Sequence, residues 1–168
     1  DTVEYLGHQI GPDGVSVHPD KREAVSKISA DDINSLETVR SFLGLTGYFR
    51  KFIDKYSLIS APLSECTKHG VDVPVQSQTP ECREAVEKLK EALATAPVLA
   101  APVQPTAARP LELHTDGASK KGIGGCLMQP DEEGRFRSLG FFGRRLIDAE
   151  TRYTVTEIEL LAVVKSVK

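Results

Sequence analysis

Two carboxylates stand out by position. Asp116 closes the alternating stretch Leu111, Leu113, Thr115 and is followed at once by Gly117, Ala118 and Ser119. Small residues after a strand-end acid let a metal or a large ligand come close; the plainer reading is an Asp-Gly turn. Glu159 lies within Thr156 to Val164, and its neighbours one helical turn away are Val155, Thr156, Ala162 and Val163. An acid on a small, apolar face is costly unless it is paired or bound to a cation. The alternative is a capping box, with Thr156 as N-cap and Glu159 reaching back to its backbone.

A strand-end Asp and a helix Glu from packed elements can share a divalent cation. Mg²⁺ takes carboxylate oxygens, and two-metal sites drive in-line attack on a phosphodiester. Such sites need further carboxylates. Asp131, Glu132 and Glu133 sit in a predicted turn and read as a solvated cluster, and Asp148 and Glu150 read as acids leading into a helix. No convincing third ligand appears.

A second, independent feature points to nucleic acid. Leu36, Val39, Phe42, Leu43, Thr46, Phe49 and Ile53 repeat at spacings of three and four, predicting one continuous helix with a core-facing stripe. Ser35 is its expected N-cap, with Glu37 in the first turn. The opposite face holds Arg40, Gly44, Gly47, Lys51 and Lys55. Glycine costs ~1 kcal/mol in a helix interior, so two of them want a reason. Close approach to a phosphate backbone is one, with the cations on phosphates; close packing against another helix is the other. Tyr48 can stack on sugars or bases, whereas Phe49 reads as core.

The rest of the chain supplies the frame. Val3 to Val17 reads as a hairpin around the turn Gly11-Pro12-Asp13-Gly14. Pro19 and Asp20 open a short helix with Ala24, Val25 and Ile28 inward, ended by a polar break from Ala30 to Asn34. A loop from Lys68 to Pro80 precedes a helix from Glu81 to Ala96, with Ala85, Leu89, Ala92 and Leu93 inward. Ala100 to Pro110 is the best candidate linker. Then come three strands, Leu111 to Asp116, Gly124 to Gln129 and Phe136 to Phe142, with a turn from Ser119 to Gly122, and a helix beginning near Thr156.

Bulk properties narrow the classes. A chain of 168 residues suggests one ordinary domain or two small ones. Net charge is −3, so any nucleic-acid contact must come from a local basic face. Cys66, Cys82 and Cys126 are scattered, as are His8, His18, His69 and His114, which argues against a disulfide framework or a zinc site. No apolar run is long enough for a membrane span and no signal peptide opens the chain. Both ends look cut.

Several of these stretches together resemble one family. Tyr5-Leu6-Gly7-His8, Gly14-Val15 and Pro19-Asp20-Lys21 are similar to the primer-grip hairpin and thumb start of gypsy-type LTR retrotransposon reverse transcriptases. Ser41 to Ile53 resembles that family's thumb helix, and Ala61-Pro62-Leu63 also fits. Leu89 to Leu93 with Ala96 to Leu99 resembles the connection. Thr115 to Ser119, Gly122 to Gly125, Arg152-Tyr153 and Glu159 to Val164 follow its ribonuclease H half. The match is co-linear over nearly the whole chain.

The resemblance implies an α+β fold. A primer-grip hairpin and helical thumb (1–65) and a connection (66–105) precede a truncated ribonuclease H-like part (106–168), a three-stranded antiparallel sheet plus helix. It implies a fragment of a Pol polyprotein whose parent copies RNA into DNA and cleaves RNA in RNA–DNA hybrids with Mg²⁺. Asp116 and Glu159 would be the first two catalytic, metal-binding carboxylates. Gly7 and His8 would lie near the primer terminus, and Gly44 and Tyr48 along the minor groove. Implied partners are a hybrid or template–primer duplex and the remainder of the polyprotein, with no membrane and no small-molecule cofactor. The implied location is intracellular, in a cytoplasmic particle or the nucleus. The paired-Asp polymerase motif and the remaining ribonuclease H carboxylates would lie outside this stretch.

Three departures mark a divergent or decaying copy: Gly117 inserted after Asp116, Phe142-Gly143-Arg144-Arg145-Leu146 in place of the usual Ala-Ser-bearing pattern, and no Trp from Val71 to Glu81. A non-catalytic, domesticated binding module is the alternative reading.

Overall fold

A computed structural model describes residues 2–117 and 121–167. The expected turn at Ser119 falls largely outside the described residues, as do Ala118 and Ser119 of the motif after Asp116. The N-terminal hairpin is a three-stranded antiparallel meander: β1 (Val3–Tyr5), β2 (His8–Gly11) and β3 (Gly14–Val17). The additional turn is Leu6-Gly7, where both residues are left-handed (φ 49° and 77°). That is the signature of a tight two-residue hairpin turn, whose twist matches the strands.

Helix α1 (Pro19–Ser26) starts as expected, with the His18 ring accepting from the Asp20 N–H, and it buries Val25 while Ala24 stays exposed. The polar break contains a 3-10 turn (Ala30–Asp32) that buries Ala30 and leads to buried Ile33. Helix α2 (Leu36–Tyr48) opens on Ser35, whose hydroxyl accepts from the Thr38 N–H. It is not continuous to Ile53. It stops at Tyr48, Phe49 caps it, and a separate 3-10 turn (Arg50–Phe52) follows. The buried stripe survives the break because residues three apart also share a side of a 3-10 turn. Phe49, Phe52 and Ile53 are all in the core.

Two short helices follow, α3 (Tyr56–Ile59) and α4 (Ala61–Glu65). The predicted loop from Lys68 contains the single-turn helix α5 (Val73–Gln76), which buries Val73. Helix α6 (Pro80–Ala94) buries Cys82 and Val86 beside the expected Ala85, Leu89 and Leu93. Cys66 and Cys82 touch in this core, Sγ to Sγ 3.5 Å. Burial, with Cys82 alongside, pushes the Cys66 thiol up to about 12, so it behaves as a core thiol and not a nucleophile.

The second sheet is antiparallel, in the order β4 (Glu112–Asp116), β5 (Gly122–Pro130), β6 (Phe136–Arg145). Helix α7 (Val155–Ser166) packs on β4 and β5. Its core is thin: Ile123, Ile158 and Ala162, edged by Phe142, Leu146 and Leu161. Leu160, Val163 and Val164 along one side of α7, and Val167 just after it, are exposed. The fold is mixed α and β with a three-stranded antiparallel sheet plus helices, the class expected.

The segment expected to be a linker is stitched to the second sheet, and the residue before it to the first. Leu99 pairs with Val15 of β3 through two backbone hydrogen bonds of 2.8 Å, and the next residue, Ala100, donates to the Ser138 carbonyl of β6 at 2.8 Å. Further on, the buried Gln129 amide accepts from the Val103 N–H (3.0 Å) and donates to the carbonyls of Val103 and Arg109 (3.1 Å each). Gln129→Leu would leave these backbone groups without partners at a cost of about 2 kcal/mol. Limited proteolysis should then cut between residues 100 and 110 faster than in the unaltered chain. Unchanged cleavage would show that Gln129 does not hold this segment.

Candidate nucleic-acid interface and carboxylate pair

The hairpin tip and the end of α2 form one surface. The Tyr48 hydroxyl donates to the Leu6 carbonyl at 3.0 Å, and the His8 ring lies 5.3 Å from Tyr48, 5.4 Å from Phe49 and 5.6 Å from Phe52. Burial, then the nearby Lys51 ammonium, pulls the His8 pKa down, and its buried Nε2 has no hydrogen-bond partner among the described residues. Gly7, His8 and Tyr48 are thus brought together, with Lys51 over the Phe52 ring at 5.1 Å.

Arg40 and Gly44 are exposed on α2. Among the described residues a Cβ at Gly44 would meet nothing within 4 Å, so helix packing does not explain that glycine. It does explain Gly47, where a Cβ would meet the Tyr56 hydroxyl at 3.2 Å. That hydroxyl donates to the Leu43 carbonyl across the same turn. Lys55 does not share this face, because the break after Tyr48 redirects the chain. Its backbone is left-handed (φ 53°) and its ammonium reaches the other sheet.

The carboxylate pair differs from both simple readings. Thr154, not Thr156, caps α7, and Glu157 completes the capping box. Glu159 is therefore free of the cap. Its Oε2 accepts instead from the Gly117 N–H at 3.3 Å, directly after Asp116. A Cβ on Gly117 would lie 3.0 Å from the Glu159 nitrogen and from Ile158 Cγ2, so glycine lets the strand end reach the helix. Asp116 carries an ion pair to Lys55, Nζ to Oδ2 2.8 Å, which raises the Lys55 pKa. The sequence alone gave no sign of this partner. Asp54 and His114 line the same cleft, about 210 Å³ in volume.

The other acids have structural work. Asp131 organises the β5–β6 turn, accepting from the N–H groups of Glu133 (3.1 Å) and Arg135 (2.9 Å). Glu150 lies in a 3-10 turn (Glu150–Arg152) and is buried against Arg144. For Mg²⁺ the donors fit in kind and fall short in number. Asp116 is committed to an ammonium, Glu159 to a backbone N–H, and among the described residues no three His, Cys, Asp or Glu side chains cluster as metal ligands.

Residues 79–168 match the family described as the RNase H-like domain found in reverse transcriptase. The chain belongs to this family. Relatives of this reverse-transcriptase RNase H-like chain are retrotransposon polyproteins. It is 36% identical over 166 residues to the retrovirus-related Pol polyprotein from transposon 297 of Drosophila melanogaster, covering 99% of this chain and 14% of the relative. To the Pol polyprotein from transposon gypsy of the same species it is 34% identical over 173 residues, covering 98% and 16%. The RNase H-like chain thus spans a small part of the curated relatives it matches. In fold it is similar to the foamy viral protease-reverse transcriptase in complex with dsDNA (TM-score 0.75, 23% identity, 99% of this chain and 33% of that one). It is also similar to that protein in complex with RNA/DNA hybrid (TM-score 0.73, 23% identity, 99% and 21%).

Proposed function

We propose that this chain is the part of a retrotransposon Pol polyprotein that grips a template–primer or RNA–DNA hybrid duplex. It would also contribute two carboxylates, Asp116 and Glu159, to RNA cleavage. The observation that carries the reading is the joined surface of the hairpin tip and α2. Gly7, His8 and Tyr48 are locked together by the Tyr48–Leu6 hydrogen bond, beside exposed Arg40, open Gly44 and Lys51. An aromatic and small-residue floor flanked by cations suits a sugar–phosphate backbone read without base specificity. The solved neighbours described as complexes with dsDNA and with RNA/DNA hybrid support it. The uncovered apolar side of α7 suits a helix that packs against the remainder of the polyprotein.

In the whole protein Mg²⁺ would be held by Asp116 and Glu159 together with further carboxylates, and would supply the water activation. The non-catalytic binding module is the second reading. The Lys55–Asp116 ion pair favours it, because an engaged carboxylate has no call for a metal.

The test is fluorescence anisotropy with a labelled hybrid across a salt series. Arg40→Ala and Lys51→Ala should each flatten the slope of log affinity against log salt by about 1. Absence of binding at low salt would remove the duplex-gripping reading. Hybrid cleavage with Mg²⁺ by residues 1–168, abolished by Asp116→Asn, would show that two carboxylates suffice.

A further inference from the structure

Beyond the end of α2 lies a second cleft. The 3-10 turn Arg50–Phe52 packs on β6, an edge strand of the second sheet, and the cleft between them is about 410 Å³. That volume falls within the roughly 300–1,000 Å³ of small-molecule seats. Tyr56, Phe141 and Phe142 line it. Phe141 also packs against the first core and Phe142 against the second, so both rings are anchored. The Tyr56 hydroxyl is already engaged by Thr46 (3.1 Å) and by the Leu43 carbonyl (3.2 Å), which leaves its ring for the cleft. Gly143 sits beside them, in the stretch where this chain departs from the family pattern. A Cβ there would meet only ordinary contacts, 3.5 Å to the Ser57 hydroxyl, so packing does not demand glycine and its missing side chain leaves the cleft open.

Three cations stand around these rings. Arg144 is neutralised by Glu150 through two bonds of 2.8 Å. Arg50 and Lys51 are exposed, and among the described residues no acid lines the cleft with them. We propose that this cleft seats one unpaired nucleotide of a nucleic-acid strand, its phosphate on Arg50 and Lys51 and its base against the rings of Phe141 and Phe142. Uncancelled positive charge calls for an anion, and rings beside it call for a flat face; a nucleotide carries both. In a duplex the base faces are covered by their neighbours in the stack, so a paired strand would offer phosphate alone. The proposal rests on the reading of the hairpin tip and α2 as a duplex grip, because Lys51 belongs to both surfaces: it stands near His8 on one and lines the other. A strand leaving the gripped duplex turns into the cleft at Lys51.

The test is fluorescence anisotropy on the 168-residue chain with three labelled hybrids: blunt, with a short thymidine tail, and with an abasic tail of equal length. The thymidine tail should tighten binding about five-fold, the low end of what one stacked base contributes. The abasic tail carries the phosphates without the bases and should gain much less. Phe141→Leu and Phe142→Leu keep the apolar volume, and each should remove most of the thymidine gain while leaving blunt-hybrid affinity unchanged. Arg50→Gln, an exposed change outside both cores, should shrink it too. Equal affinities for blunt and tailed hybrids would overturn the cleft and leave the duplex grip standing. Equal gains from the two tails would reveal a bare phosphate site and sink the seating of a base. A gain that survives both Phe141→Leu and Arg50→Gln would place the tail elsewhere. Capture of the tailed hybrid alone, with no blunt binding, would remove the grip and support the cleft, whereas no binding of any hybrid would overturn both.

Discussion

Gly14→Ala should be the most damaging small substitution in the first sheet, lowering stability by about 3 kcal/mol. Gly14 has φ +125°, where an L side chain is strained, and its missing Cβ would lie 2.0 Å from the Leu99 carbonyl oxygen and 2.9 Å from Ala100 Cα. Neither obstacle is a movable side-chain end. Both are backbone, held by the paired Val15 and Leu99 hydrogen bonds and by Ala100 on Ser138. Alanine therefore has to push residues 99–100 off β3, losing two bonds of about 1 kcal/mol each beside the strain of about 1 kcal/mol or more. Urea unfolding followed by circular dichroism measures it. Gly44→Ala is the control, with nothing within 4 Å among the described residues and a helical backbone, and should raise stability by about 1 kcal/mol. A loss below 1 kcal/mol for Gly14→Ala would mean that the 99–100 crossing is loose.

Arg144→Ala should cost a similar amount for a different reason. Glu150 is only 7% exposed, and its carboxylate accepts both Arg144 guanidinium nitrogens at 2.8 Å and the Ile147 N–H at 3.0 Å. Removing the arginine strands a buried carboxylate, at about 3 kcal/mol. The pair ties β6 to the turn that leads into α7, so the Gly117–Glu159 contact should loosen as well. Amide exchange should therefore quicken along α7. The pH dependence has a definite sign. The guanidinium, then the Ile147 N–H, lower the Glu150 pKa from 4.5 to about 2. A depressed acid stabilises the folded state above its unfolded pKa and loses that contribution as pH falls. Melting temperatures should thus drop between about pH 4.5 and pH 2 in the unaltered chain, and less steeply in Arg144→Ala. Parallel curves would rule out the pair as the origin of the acid sensitivity.

What the sequence made legible was periodicity and acid placement. Ser35 as a cap, the buried Val39, Phe42 and Thr46, and the inner side of α6 follow from spacing alone. The break in α2 was hidden because three-residue spacing satisfies an α-helix and a 3-10 turn alike. The first hairpin turn was hidden because Leu6 occupies a left-handed position usually given to Asn, Asp or Gly. The cap of α7 was misplaced by two residues because Thr154-Glu157 and Thr156-Glu159 share the same spacing, and only packing against Gly117 separates them. Lys55 as the partner of Asp116 was out of reach, since the pair joins segments 61 residues apart through contacts that no local pattern encodes.

The pairing of Val15 with Leu99 also bears on how the chain is made. Chains leave the ribosome N-terminus first, at roughly 5–20 residues per second. The outer edge of β3 is thus complete on the order of ten seconds before Leu99 emerges to cover it. An unpaired strand edge is a template for other chains, and crowded polysomes supply many copies of the same edge. Nascent chains stalled between β3 and residue 99 should associate with one another more readily than chains that have passed it. The exposed edge of β3 thus persists while the residues between it and Leu99, α6 among them, are being added.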